Sequence, residues 1–383
     1  MKIHDLIRSI RHDPTHASAR LQDFVDTHTF PIVEGDTATF FYWDGERTKG
    51  VNLMHWVFGL ETRQSFKRIL GTEAFFLSLD LPHSARVEYK LELLRGDNRR
   101  WIRDPRNDKR AFDPFGSNSV VAMQGYVEPT WIDAEPGCRR GTVETFTMRS
   151  EVYDQEREVT MYLPNEYKAH KRYPLLICHD GRDYRRFAQM IEVLDNLIHR
   201  REVRPIVVAF TDGVDRNPEY GANPRQPTWL VEEMLPEVRA RYGISEDALD
   251  LGLMGASFGG VSSLFTAWHH PGVFGKLLLQ SGSFVFTDIG HHGRSAWFVP
   301  VVDFVNVYRS DPARIGSPRI YMSCGVFESL IQFNRALVPL MRESGLRVRF
   351  SEAQDGHNWI AWRDRLREGL AWLYPGHLWM WYD

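Results

Sequence analysis

Ser257 lies in the stretch GLMGASFGG, residues 252–260, between glycines at the end of an apolar run from Leu249 to Met254. The pattern G-x-S-x-G fits a sharp strand-to-helix turn that lifts a serine hydroxyl above the carboxyl end of a parallel strand. The helix-like VSSLFTAWHH follows, and so tight a turn leaves no room for a Cβ at Gly255 or Gly259. A serine hydroxyl is a weak nucleophile at neutral pH and needs a base within hydrogen-bond reach. Among 15 histidines, His357 in DGHNW is the first choice, because it follows the strand-like RVRFSEA and precedes a helical segment. His179 ends an earlier apolar run and reads as shaping the loop beside the serine. His269 and His270 read as helix C-terminal caps, and His291 and His292 as members of an exposed, Gly-bounded loop.

A catalytic imidazole needs an acid that fixes its tautomer and stabilises its charged form. With the order serine, acid, histidine, that acid comes from between Ser257 and His357. Glu328, after the strand-like YMSC in YMSCGVFESL, is preferred. Asp355 stays open as the rival, although a neighbour two residues away rarely reaches the far ring nitrogen; Asp303 and Asp288 are more remote. The developing oxyanion calls for two backbone N–H groups. One is expected from Phe258, the other from Gly181 or Arg182 in HDGRDY. The chemistry expected of such a set is acyl transfer to Ser257 followed by hydrolysis, with no metal and no cofactor called for.

These residues need a scaffold. Apolar runs (PLLICHDG, PIVVAFTDG, ALDLGLMG, FGKLLLQSG, PRIYMSCG) alternate with amphipathic segments (RFAQMIEVLDNLIHRR, WLVEEMLPEVRARYG, QFNRALVPLMRESG, WIAWRDRLREGLAWLY). That alternation predicts a mostly parallel sheet covered on both faces. TVETFTMRS and REVTMYLP read as a hairpin leading into it. Upstream, TATFFYW, VNLMHWV, AFFLSLDL and VEYKLELL predict a small antiparallel sandwich. The expected organisation is a helical segment over 1–30, a β-sandwich over 31–127, a linker over 128–141 and an α/β catalytic domain over 142–383. Residues 104–119 read as a polar loop.

Composition narrows the partners. With 43% hydrophobic and 25% charged residues the chain has the balance of a globular protein. A net charge of −3, without long basic runs, argues against nucleic acid or an anionic membrane as partner. Cys138, Cys178 and Cys324 cannot make a paired disulfide framework, and MKIHDLIRSIRHDPTH has no apolar signal region. A cytoplasmic enzyme is expected, with a small molecule as partner; composition gives no oligomeric state.

LLICHDGRDY, AFTDGVDRNPEY, VEEMLPEV, GASFGG and DGHNWIAWRDRL resemble the esterase family typified by enterochelin (ferric enterobactin) esterases, with the related esterase D and feruloyl esterase group. The likeness spans about residues 145–375. VEYKLELL and DPRNDKRAFDPFG resemble, less closely, the immunoglobulin-like domain that precedes the hydrolase in enterochelin esterases. The resemblance implies an α/β-hydrolase fold with an N-terminal immunoglobulin-like β-sandwich. It implies Ser257 as nucleophile, His357 of the GH-x-W motif as base and Glu328 after CG as acid, where feruloyl-esterase relatives usually carry Asp. QDGH also replaces the common GGH. The implied substrate is a siderophore trilactone or similar small ester. A ferric catecholate is anionic, so Arg182, Arg185, Arg186, Arg216 and Arg225 are candidate cations, and Tyr184, Tyr220 and Phe258 candidate aromatic lining. The alternatives are a carbohydrate acetyl or feruloyl esterase with a sugar-binding N-terminal module, and a non-catalytic ligand-binding pseudo-hydrolase.

Overall fold

Eight strands form the sheet that carries the serine, in the computed structural model, which describes residues 2–44, 48–287 and 295–377. The described residues divide into two compact units. One is Met1–Glu128 with Val326–Glu328 and Gln354–Asn358; the other is Pro129–Gly325, Ser329–Ala353 and Trp359–Asp383.

In the second unit the sheet order is Thr142–Ser150, Gln155–Leu163, Val207–Thr211, Leu175–His179, Leu251–Ala256, Lys276–Gln280, Arg319–Gly325 and Arg347–Ala353. The first two strands form an antiparallel hairpin, Gln155–Leu163 meets Val207–Thr211 antiparallel, and every later pairing is parallel. Central strands such as Leu175–His179 and Leu251–Ala256 are buried at every residue, which is why they read as unbroken apolar runs. Helices pack both faces around two cores. One core includes Ile177, Leu253, Val261 and Leu279; the other includes Cys178, Met254, Leu278 and Trp362.

Two segments expected as single helices are interrupted. The segment 186–201 is broken at Ala188 and Gln189, the latter with φ 50°: its first two residues end the helix Gly181–Phe187, and the helix Met190–His199 follows. The closing segment is split into Trp359–Arg363 and Leu366–Leu373. Residues 128–141 are not a free linker. Ile132 is buried in the core, and Asn196 Nδ2 donates to the carbonyls of Trp131 and Asp133 at 2.8 and 2.7 Å. Polar, Pro- and Gly-marked composition reads as a linker, yet these few contacts fasten it as a strap.

The first unit begins with the helices Ile3–His12 and Ala17–Asp26, which bury Leu6, Ile10, Leu21 and Phe24 against Phe41 and Ala74. Two antiparallel sheets follow. One has the order Ile32–Glu34, Thr37–Tyr42, Phe75–Asp80, Lys67–Arg68. The other has Arg63–Ser65, Gly50–His55, Arg86–Arg95, Gly116–Ala122, Arg110–Asp113, with Asn98–Ile102 also paired to Arg86–Arg95. Alternate residues Val87, Tyr89, Leu91 and Leu93 enter a core shared with Phe40, Tyr42 and Phe75. Phe327, far along the chain, joins that core. Residues 104–119 are only partly loop: Arg110–Asp113 pairs antiparallel with Gly116–Ala122, and Asp113 Oδ1 caps the turn by accepting the Phe115 N–H at 2.7 Å. A short hairpin whose turn is marked by Pro114 and Gly116 and whose strands begin with polar residues lacks the apolar alternation that marks a strand.

Candidate active site

Ser257 is the first residue beyond the buried strand Leu251–Ala256 and the residue before the helix Phe258–His269. Its φ of 57° and ψ of −120° are a strained conformation for a residue with a Cβ. The turn is held from the neighbouring strand: the Ser257 N–H donates to the Gln280 carbonyl at 2.9 Å, and the Ser257 carbonyl accepts from Gly260 and Ser283 N–H at 3.1 and 3.2 Å. A Cβ on Gly255 would fall 2.4 Å from the Gly259 carbonyl carbon, and one on Gly260 would fall 3.2 Å from Gly282 Cα. Ser257 Oγ lies 3.1 Å from Ser283 Oγ. Ser283 was not among the expected site residues; its position in QSGS, just past the next strand, was the available signal.

Glu328 and His357 are brought together. His357 Nδ1 is 2.7 Å from Glu328 Oε2, with the Glu328 side chain 1% exposed and the His357 ring 38% exposed. A carboxylate only accepts, so Nδ1–H donates to Glu328 Oε2. Glu328 follows the strand Arg319–Gly325 by three residues and His357 follows Arg347–Ala353 by four, so the two loops leave neighbouring parallel strands at their carboxyl ends.

Asp355 is engaged elsewhere. Its carboxylate accepts from Gly356 N–H and Asn358 Nδ2, both at 2.7 Å, and from Arg86 Nη1 at 3.2 and 3.3 Å. Burial pushes the Asp355 carboxyl up to about 6, with Arg86, Asn358 and Gly356 acting against it. Arg86 was missed by sequence reasoning, since nothing local links two residues 269 positions apart. Asp303 is exposed, while Asp288, His291 and His292 lie outside the described residues.

Of the expected oxyanion donors, Phe258 opens its helix, so its N–H has no intrahelical acceptor. Gly181 opens the helix Gly181–Phe187, and a Cβ there would fall 2.4 Å from Phe210 Cβ. The Arg182 N–H donates to the Asp212 carboxylate at 3.2 and 3.3 Å and is therefore already committed.

Tyr184 and Tyr220, expected on the substrate wall, are core residues with no exposed surface. The Tyr184 hydroxyl donates to Gln280 Oε1 at 2.7 Å, and the Tyr220 ring packs 5.0 Å from His179. An amphipathic ring type does not reveal in a sequence whether its hydroxyl meets water or a buried amide. Arg216 makes a two-pronged ion pair with Asp180 at 2.6 and 2.7 Å, so much of its charge is spent inside the protein. Arg185 Nε donates to the Gly181 carbonyl at 3.3 Å, and Arg225 is bonded to the Val152 carbonyl. His179 is fully buried, with Nε2 2.7 Å from Ser262 Oγ; burial, helped by Arg216, depresses it to about 3, so it stays neutral. His269 Nδ1 donates to the Phe265 carbonyl at 3.2 Å, and His270 is the residue that caps this helix. Among the described residues no cluster of three or more His, Cys, Asp or Glu could hold a metal, and no helix is long and apolar enough to cross a membrane.

A serine on a strained strand-to-helix turn, above a mostly parallel sheet with helices on both faces, defines an α/β-hydrolase architecture. The model of the Esterase family, described as "Putative esterase", matches residues 150–373, and the chain belongs to that family; it is a carboxylic ester hydrolase. The iron(III) enterobactin esterase of Escherichia coli O6:H1 is 26% identical over 338 residues, covering 81% of this chain and 82% of that protein. The solved ferric enterobactin esterase of Salmonella typhimurium is 25% identical, with a TM-score of 0.74 over 92% of this chain and 98% of that one. The Shigella flexneri enterobactin esterase, solved in the presence of enterobactin, is 23% identical, with a TM-score of 0.72 over 88% and 92% of the two chains.

Proposed function

We propose that this chain is a serine esterase of the enterochelin-esterase type, cleaving a siderophore trilactone or a similar small ester. The observation that carries the reading is the 2.7 Å contact between His357 Nδ1 and Glu328 Oε2, the orientation a carboxylate gives a catalytic imidazole. Ser257 Oγ attacks the ester carbonyl and passes its proton to His357 Nε2. The tetrahedral oxyanion is held by the Phe258 and Gly181 N–H groups. Collapse expels the alcohol, which takes the proton from His357, and leaves an acyl group on Ser257. Water, deprotonated by His357, then attacks the acyl-enzyme, frees the acid and regenerates Ser257.

Similarity to iron(III) enterobactin esterases over more than four-fifths of each chain supports the siderophore class of substrate. The two antiparallel sheets with a shared core in the first unit support an immunoglobulin-like reading of that domain. Cys138, Cys178 and Cys324, which form no disulfide, fit a reducing, cytoplasmic setting. Ser257→Ala should abolish turnover of a p-nitrophenyl ester in protein that keeps its circular dichroism spectrum, and retained turnover would remove the reading. Comparing ferric enterobactin-like trilactones, acetylated sugars and feruloyl esters then assigns the substrate: preference for either of the last two replaces the siderophore.

A further inference from the structure

We propose that the first unit sets the position of the catalytic base and acid, with Arg86 as the positioning residue for His357. This rests on the reading of His357 as base and Glu328 as acid. Arg86 opens the strand Arg86–Arg95 and is only 3% exposed, too enclosed to greet a substrate. Its contacts bracket His357 in sequence. The Arg86 N–H donates to the Gln354 carbonyl at 2.8 Å. Its Nη1 reaches the Asp355 carboxylate at 3.2 Å and Asn358 Oδ1 at 3.1 Å. Its Nη2 is tied to Glu88 Oε1 at 3.0 Å. Burying a guanidinium is costly unless every arm is matched, so this one holds the loop at both ends at the expense of little freedom.

The acid loop is anchored by the same sheets. Phe327, the residue before Glu328, sits in the sandwich core with Leu53, Val87 and Met123. The Phe58 N–H donates to the Phe327 carbonyl at 2.8 Å, and the Phe327 N–H donates to the Asp355 carbonyl at 3.1 Å. Acid loop, base loop and sandwich thus form one hydrogen-bonded assembly, and the unit that holds Glu328 and His357 is the N-terminal one. A shift of about 1 Å in the imidazole would cost about 100-fold in rate.

The test uses the full chain and a p-nitrophenyl ester. The charged and titratable groups in this assembly include Glu328 and Asp355 on the two loops and, about Arg86, Glu88 and Tyr126. Arg86→Met should lower kcat about 100-fold with KM within about threefold, because the loss falls on geometry and not on binding. It also removes a cation from beside the imidazole, while the Asp355 carboxyl, already pushed up to about 6 by burial, rises further and offsets part of that change, so the acid limb of the kcat/KM profile should move modestly to higher pH. Asp355→Asn should move that limb to lower pH, and Arg86→Lys should recover part of kcat. Should Arg86→Met fail to fold, Arg86→Lys and Asp355→Asn decide by the same two readouts. Folded variants with wild-type kcat, a fall in kcat with an unmoved pH limb, or a loss that only tracks the unfolded fraction would each overturn the positioning role. Turnover by Ser257→Ala would instead point to failure of the underlying esterase reading.

Discussion

His357 Nδ1 and Glu328 Oε2 stand 2.7 Å apart on loops that leave neighbouring parallel strands, and the carboxylate is almost wholly buried. On the proposed triad, Glu328→Gln keeps the shape but removes the charge that would stabilise the imidazolium and select its tautomer. It should cut kcat by about 10³- to 10⁴-fold with little change in KM. Steady-state kinetics beside Asp355→Asn separate the two carboxylates: a larger loss in Asp355→Asn would make Asp355 the acid.

His179 is neutral and buried against Ser262. Its folded value is depressed to about 3 from an ordinary 6.5, so the unfolded chain binds the proton first as pH falls. The contribution to stability is complete above pH 6.5 and is lost progressively as the pH falls toward 3. Between pH 7 and pH 5 the folded state should lose about 2 kcal/mol from this group. Urea unfolding at both pH values, in wild type and His179→Gln, should show that increment only in wild type.

Gly255 has no room for a side chain, because its Cβ would sit 2.4 Å from backbone atoms of Gly259. Gly255→Ala should destabilise by about 3 kcal/mol or fail to fold. At Gly259 the nearest atom to an added Cβ is Asp180 Oδ2 at 3.2 Å, so Gly259→Ala should be milder. Thermal melts of the two variants check the ranking.

Arg216 was a natural candidate for greeting an anionic ester, yet its guanidinium is matched by Asp180. Arg216→Gln should therefore act mainly on stability, by about 1–2 kcal/mol after allowing for its partial exposure, and raise KM less than threefold or so. A tenfold rise in KM at unchanged stability would return Arg216 to the substrate.

The parallel sheet was legible because strands buried on both faces must be apolar throughout, as LLICH and LGLMGA are. Ser257 was legible because its turn needs small neighbours on both sides. What stayed hidden depends on contacts distant in sequence. Arg86 reads as one strand-end cation among many until Asp355 is folded beside it. Tyr184 and Tyr220 carry the same hydroxyl whether it faces a ligand or, as here, Gln280 and the Thr211 carbonyl. Residues 110–122 carry hairpin pairing in a composition indistinguishable from a loop.

The strap at 129–141 sets where the hydrolase unit can be cut. Asn196 is 2% exposed and spends its amide hydrogens on two strap carbonyls, while Asp195 accepts the Gly141 N–H at 2.8 Å and the Tyr162 hydroxyl at 2.8 Å. A shortened chain starting at residue 142 would open those donors and acceptors to solvent and strip Ile132 from the helix beneath. A chain starting at Pro129 would keep the strap but would lose Arg86 and Phe58, and with them the anchors of the loops that carry His357 and Glu328.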